Sequence, residues 1–124
     1  FDLKGGAGKM IELDAMNYLT ERTGYPAFLE EPEKAHRPDS YYLIEKVGSS
    51  ERDHITSAQI TVQSYAPSLV EAMSLNHAAK AAMESFAELD KVSRCRCLGD
   101  YNYTDTQTKR HRYQAVFDIT YYEE

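Results

Sequence analysis

Two cysteines are the first residues whose type and spacing could do chemistry. Cys95 and Cys97 are separated by a single residue, so on a strand both thiols would point the same way. The pair offers two of the four ligands that a structural zinc site needs, and no second Cys pair or His-x-His pair lies nearby in the sequence. A disulfide-stabilised secreted domain would need more cysteines. We therefore interpret both as small buried residues in a reduced cytosol, and we expect neither a metal nor another cofactor.

A glycine-rich segment near the start of the sequence ends like a phosphate-binding loop. Residues 5–9 read Gly-Gly-Ala-Gly-Lys. The full loop needs another glycine five positions before Gly8, where Leu3 stands. It also needs Ser or Thr after the lysine to hold magnesium, and Met10 occupies that position. We exclude a nucleotide site in this segment.

Histidines and acidic pairs are the remaining candidates for acid–base chemistry. The histidines are His36, His54, His77 and His111, and the acidic pairs are Glu30-Glu31 and Glu123-Glu124. None has a Ser or Cys in a nucleophile-elbow context beside it. General acid–base work needs a carboxylate in a desolvating pocket opposite a second group, and the sequence indicates no such pocket. We predict no catalytic residue and a protein that is not an enzyme.

Tyrosine is the unusual component of this sequence. Ten of 124 residues are Tyr and none is Trp. Several are paired or alternate, at residues 41–42, 101 and 103, and 121–122. Packing across strands is the first interpretation and a protein interface is a close second. Stacking on single-stranded nucleic acid is a distant third, because it requires a basic groove, and only Arg94, Arg96 and residues 109–112 approach one.

Charge narrows the choice of partners. The formal net charge is −6, and an acidic domain repels the phosphate backbone because binding depends on clustered Lys and Arg that displace counterions. DNA is therefore expected only to pass such a surface without binding. No apolar run approaches the roughly 20 residues that cross a bilayer, and we expect no membrane partner.

The predicted elements occur in the order α-β-β-α-β-β. Apolar residues at helical spacing predict helices at 11–23 and from 68 to about 89, the second opened by a capping box at Ser68 and Glu71. Strand patterns occupy 41–47, 55–65, 91–98 and 111–122. Residues 48–53 are expected to form a turn or a projecting hairpin loop, and 100–110 a polar connection. The fold class is α+β, an antiparallel β-sheet with two helices packed on it.

The chain is long enough for one domain. We assign residues 10–124 to a single α+β domain. Residues 1–9 differ in composition from the rest of the chain, and we interpret them as either a tag remnant or a flexible leader.

Several segments of this sequence resemble siphophage tail-completion proteins. The strand SAQITVQSYA at 57–66, with SLVEA at 68–72 opening a long helix after it, is similar to that family. So is the closing part, with DYNYTD at 100–105 and KRHRYQ at 109–114 before an alternating strand. The first helix and the strand around YLIEK at 42–46 also fit, so the resemblance covers most of residues 10–122.

The resemblance implies a structural protein of a bacteriophage or prophage virion. Tail terminators and head–tail joining subunits form rings, commonly of six copies, that cap the tail tube and meet the head connector. It implies assembly in the bacterial host cytoplasm and a place at the tail neck, with DNA passing through the lumen. Another neck component, such as a head-closure or connector subunit, is the close alternative. A small ligand-binding or enzymatic α+β domain is the third, although no residues converge on a pocket in the sequence.

Two polar segments between strands are the predicted contact sites with neighbouring subunits or the tube. The candidates are Ser49, Glu51, Arg52, Asp53, Asp105, Lys109, Arg110 and Arg112. Plain solvated turns are the alternative interpretation. We also expect the strands at 55–65 and 111–122 to lie at the edges of the sheet, where a ring contact would cover them.

Overall fold

The computed structural model describes residues 10–122. The proposed leader at 1–9 and the acidic pair Glu123-Glu124 lie outside the described residues. The elements are α1 Ile11–Thr23, β1 Ala27–Phe28, β2 Tyr41–Arg52, β3 Ile55–Ala66, α2 Leu69–Glu84, β4 Val92–Asn102 and β5 His111–Tyr122. Short 3-10 turns occupy Lys34–His36 and Phe86–Glu88. The α+β class is therefore confirmed.

Local sequence explains the end of α1 and the start of α2. Gly24 ends α1 with φ 79°, the left-handed conformation that glycine adopts readily, and its N–H donates to Thr20 O. Ser68 caps α2, because its Oγ accepts from the N–H of Glu71 at 3.2 Å. The predicted apolar stripe is buried as expected, and its members are Ala72, Leu75, Ala79, Met83 and Phe86.

The sheet is mixed, which corrects the antiparallel sheet and the simple α-β-β-α-β-β order. Its strand order is β1-β2-β3-β5-β4, and the two-residue strand β1 runs parallel to β2. Two residues are too few to show an alternating pattern, so β1 has no signal in the sequence. Pro26 precedes it, and the N–H of Tyr42 donates to Pro26 O at 2.9 Å.

The β2–β3 hairpin is longer than predicted. β2 continues through residues 48–52 instead of ending at Val47, and the turn itself is only Asp53 and His54. Both turn residues have positive φ, 53° and 67°, as a two-residue hairpin turn of the primed type requires. A bulge at Val47 lets the strand continue past Gly48. β4 is longer as well and ends at Asn102.

The expected edge strands lie in the interior of the sheet, so that prediction was wrong. β3 pairs with β5 along its whole length and with β2 from Ile55 to Tyr65, and β5 pairs with β3 and β4. The strands at the margins are β4 on one side and, on the other, the short β1 with the part of β2 that β1 does not cover. Sequence alternation identifies a strand but carries no information about its neighbours, which explains this error.

Both helices contribute to a single core on one face of the sheet. Leu19 of α1 and Leu75 of α2 belong to the same buried cluster as Ile60 of β3 and Phe117 of β5. The alternate positions on the strands carry polar side chains such as Gln63 and Gln114. No described helix is both long enough and apolar enough to span a bilayer.

Candidate functional site

The eight predicted contact residues lie in two groups at opposite ends of the sheet. The first group, at the β2–β3 hairpin end, is Ser49, Glu51, Arg52 and Asp53. The second, at the connection between β4 and β5, is Asp105, Lys109, Arg110 and Arg112. β3 links the two ends with 12 residues, so at about 3.3 Å per residue they are roughly 36 Å apart. One subunit does not bring them into a single site.

Most of β2 lacks a neighbouring strand on its outer side. β1 pairs only with Tyr42 and Leu43, which leaves residues 44–52 uncovered among the strands formed by residues 10–122. The last eight residues of β2 are exposed. Unpaired N–H and C=O groups along such an edge can accept another strand. Ser49, Glu51 and Arg52 all belong to this edge.

β4 forms the second uncovered edge. It pairs with β5 on one side only, and no other described strand lies beyond it. Among its 11 residues Val92 is buried and Cys95 is half-buried, whereas the rest are exposed. The sheet therefore has two long edges, one on each side, where backbone groups face solvent.

The two edges run in opposite directions and span the same part of the sheet. β2, β3, β5 and β4 are successively antiparallel, so β4 is antiparallel to β2. The register aligns Lys46, Ile60, Phe117 and Cys97 in one row across the sheet. Residues 45–51 of β2 thereby lie level with residues 92–99 of β4. A second copy rotated about an axis parallel to the strands keeps its strand direction. Its β4 could therefore pair antiparallel with β2 of the first copy and continue the sheet.

Each edge carries one exposed aliphatic residue at a bulge. Val47 of β2 is 53% exposed and Leu98 of β4 is 46% exposed. Lys46 and Cys97 are the two ends of that row. Val47 comes directly after Lys46 and Leu98 directly after Cys97, so the two residues lie on opposite sides of the row because their strands are antiparallel. Each lies within about 3.3 Å of that row, the rise of one residue.

At the other end of the sheet, two tyrosine rings hold Arg110. Tyr41 stacks on Tyr65 with ring centroids 4.9 Å apart and an interplanar angle of 11°. The guanidinium of Arg110 lies over the Tyr65 ring, 4.4 Å from its centroid. Arg110 also donates to Glu31 Oε1 at 2.8 Å and to the hydroxyl of Tyr41. Arg37 lies 3.4 Å from the same Glu31 oxygen.

These contacts shift two ionisation equilibria. Burial would raise the pKa of Glu31, but hydrogen bonds from Tyr41, Arg110 and Arg37 outweigh it and hold that pKa below its usual value. Burial, and next the hydrogen bond to Glu31, raise the pKa of Tyr41 above that of a free phenol. Glu31 is therefore a carboxylate at neutral pH, fixed by three donors.

Arg112 and Asp105 are also bonded within the chain. Arg112 donates to the hydroxyl of Tyr65 at 2.9 Å and to Tyr103 O at 2.7 Å, and it lies over the Tyr103 ring at 4.3 Å. Asp105 accepts from the N–H of Gln107 at 2.9 Å. That backbone hydrogen bond is the main cause that lowers the pKa of Asp105. These two residues shape the connection from within, whereas Lys109 remains exposed at its tip.

A shallow cationic cleft opens beside the tyrosine stack. Its volume is ≈ 420 Å³, and its positive charge comes from Lys34, Arg37, Lys109 and Arg110, with His111 also in the lining. Asp39 is the acidic residue in its lining. We call these basic side chains, together with Tyr41 and Tyr65, the cationic cleft.

The cysteines are not both buried, which corrects the sequence interpretation. Cys95 is half-buried, and burial is the main cause that raises the pKa of its thiol to about 12. Cys97 is exposed because β4 lies at the margin of the sheet. Within residues 10–122, no three or more His, Cys, Asp or Glu side chains are grouped as metal ligands.

Comparison with known proteins adds no relative. No protein-family model matches this chain, and a search of curated proteins finds no match. The uncovered edges and the cationic cleft are therefore the features from which a function can be inferred.

Sequence reasoning missed several residues that matter at these surfaces. Val47 and Leu98 received no role, because a bulge residue breaks the two-residue alternation that identifies strands. Gly48, inside the strand, was a signal for the first bulge. Glu31 and Tyr65 were missed because each contacts Arg110, which lies 79 and 45 positions further along the sequence, and single-sequence patterns do not report contacts over such separations.

Proposed function

We propose that this protein is a structural subunit that joins copies of itself edge to edge in a closed ring, as a phage tail terminator does. The observation that carries the proposal is the pair of uncovered strands, β2 and β4, which run in opposite directions and at the same level of the sheet. The free part of β2 in one subunit would pair with β4 of the next.

Contact between two different edges is heterologous, and a heterologous contact forms a closed ring when its rotation closes. Each pairing would cover the free backbone edges at 44–52 and 92–102, which otherwise present aggregation-prone N–H and C=O groups. Val47 of one subunit would pack near Leu98 of its neighbour and exclude water from the middle of the contact. The charged ends of the edge strands would remain at the rim.

The resemblance in sequence supplies the proposed partners. The ring, commonly of six copies in that family, would dock on the last ring of the tail tube and present its other face to the head connector. Assembly would take place in the bacterial host cytoplasm, and the finished ring would be part of the virion. DNA would only pass through the lumen, in keeping with a net charge of −6.

Sedimentation of the purified chain, alone and mixed with tail-tube protein, tests this proposal. We expect one closed oligomer, formed by the chain alone or on the tube, and rings in electron micrographs. A chain that stays monomeric at high concentration and has no affinity for the tube would overturn it. Particles lacking the protein identify the position in the neck: tails of irregular length indicate a terminator, whereas normal tails beside leaking heads indicate a head-closure protein.

A further inference from the structure

We propose that the cationic cleft binds a carboxylate-rich segment of a partner protein. The inference goes beyond ring assembly and does not depend on it, because the cleft lies at the opposite end of the sheet from the β2–β3 turn and is no part of either free edge.

The cleft concentrates positive charge in an acidic chain. Four permanent cations line it, namely Lys34, Arg37, Lys109 and Arg110, against one carboxylate, Asp39. With Glu31 counted as well, since it is bonded to Arg37 and Arg110, the local charge is +2. Subtracting this +2 from the chain's −6 leaves −8 for the rest of the molecule. The cleft is therefore a positive site on a negative surface.

Arg110 is held in position before any ligand arrives. It is fixed between the Tyr65 ring, Glu31 and the Tyr41 hydroxyl. Its neighbour Lys109 has φ 59°, a left-handed conformation that is uncommon for a residue with a side chain. Arg110 therefore keeps its positive charge at the cleft without a further loss of side-chain freedom when an anion binds.

The contacts of Glu31 show that donors in this cleft bind a carboxylate. Its carboxylate receives the Tyr41 hydroxyl at 2.5 Å and Arg110 at 2.8 Å, with Arg37 at 3.4 Å. Two exposed lysines, Lys34 and Lys109, lie at the rim of the same cleft. Neither takes part in an ion pair among residues 10–122. These lysines are therefore the groups left to meet further carboxylates.

Nucleic acid suits this cleft poorly. Base stacking needs exposed aromatic faces, but Tyr41 is 1% exposed and Tyr65 is 6% exposed. A long phosphate backbone would also extend beyond the cleft over the acidic remainder of the surface. A short acidic segment would stay within about 10 Å of the cations of the cleft, which is the screening length at 0.1 M salt. The geometry therefore favours a protein segment rich in Asp or Glu.

Calorimetric titration at low salt tests the proposal with three probes: a Glu-rich peptide, an oligothymidylate of equal charge, and pyrophosphate. We expect the peptide to bind most tightly and to weaken as salt is added. The double variant Lys34→Gln/Lys109→Asn should bind the peptide about tenfold more weakly, because two exposed charge contacts of about 0.7 kcal/mol each are lost. Asn tolerates the left-handed conformation at residue 109, which protects the fold.

Lys91→Gln is the matched control, because it removes one positive charge at the distant end of the sheet, where Lys91 O accepts from the N–H of Tyr122, and Lys91 belongs to neither edge strand. It should leave peptide affinity unchanged. Lys34→Gln alone should weaken binding about threefold, and it replaces the double variant if circular dichroism shows that variant to be unfolded. The proposal is overturned if no peptide binding occurs, if the oligothymidylate or pyrophosphate binds more tightly, or if Lys91→Gln weakens binding as much as the cleft variants do.

Discussion

Val47 and Leu98 lie on opposite edges of the sheet and flank the same row of paired residues. The row runs from Lys46 through Ile60 and Phe117 to Cys97, and each bulge residue comes directly after one of its two end members. A second copy set beside the first at the same level would bring its Leu98 close to Val47. The two edges are thus antiparallel and at the same level of the sheet, with one aliphatic side chain on each side of the shared row.

Val47→Asp is expected to prevent assembly and to leave the subunit folded. The substitution would place a carboxylate opposite Leu98, and an unpaired buried charge should weaken association by about a hundredfold or more. Sedimentation equilibrium measures the change. Val70→Asp is the control, since Val70 is 72% exposed on α2 and belongs to neither edge. Equal disruption by the two variants would contradict the edge contact.

Glu31→Gln is expected to destabilise the chain at neutral pH and to have little effect in acid. The pKa of Glu31 in the folded chain lies below the unfolded value of 4.5. Its charged contacts therefore increase the free energy of unfolding at a pH above the unfolded pKa, and this stability is lost as the pH falls through the folded pKa. Because the side chain is partly exposed, solvent screening limits the effect to about 1 kcal/mol. Urea unfolding at about pH 7 and about pH 3 measures it.

A loss that is the same at both pH values would show that Glu31 acts through packing and not through its charge. Glu33→Gln provides the comparison, because Glu33 is an exposed carboxylate in the same loop. That control should change the free energy of unfolding little at either pH.

Asp14→Asn is expected to stabilise the chain at neutral pH. Burial is the main cause that raises the pKa of Asp14 from 3.8 to about 6, with Lys91 opposing and Glu12 adding to it. As the pH rises through the range between these two pKa values, the folded chain must keep a partly buried carboxylate, which lowers the free energy of unfolding. This loss is absent below about pH 4. Discounted for solvent exposure, the gain is about 1 kcal/mol at pH 7. Thermal unfolding at the two pH values should show a higher Tm for the variant only at neutral pH.

Gly24→Ala is expected to destabilise the chain by about 1 kcal/mol through the backbone alone. Gly24 has φ 79° and no atom lies within 4 Å of an added Cβ, so space is not the obstacle. Gly99→Ala is the control, because Gly99 has the same open space without the positive φ. Chemical denaturation compares the two variants. Equal losses would mean that the left-handed cap of α1 is not the cause.

Features that depend on local patterns were predictable from the sequence, whereas features that depend on pairing were not. The stripe from Ala72 to Phe86 and the cap at Ser68 were readable because helix periodicity and capping act within a few residues. The bounds of β5 were also correct, since its alternation is unbroken. Strand neighbours and the bulge at Leu98 were not readable, because they arise from contacts across the sheet. The same reason hid the contact of Arg110 with Glu31, 79 residues away.

Cross-linking between Val47 and Leu98 tests the edge-to-edge ring most directly. In a chain with Cys95→Ser and Cys97→Ser, shown by circular dichroism to fold, Val47→Cys and Leu98→Cys are combined and oxidised, with tail-tube protein present and absent. A disulfide requires Cα atoms within about 7 Å. The account predicts intermolecular cross-links that form a ladder ending at one closed size, and no ladder when Val70→Cys replaces Leu98→Cys. Oligomers without this cross-link, or monomers under both conditions, would contradict it.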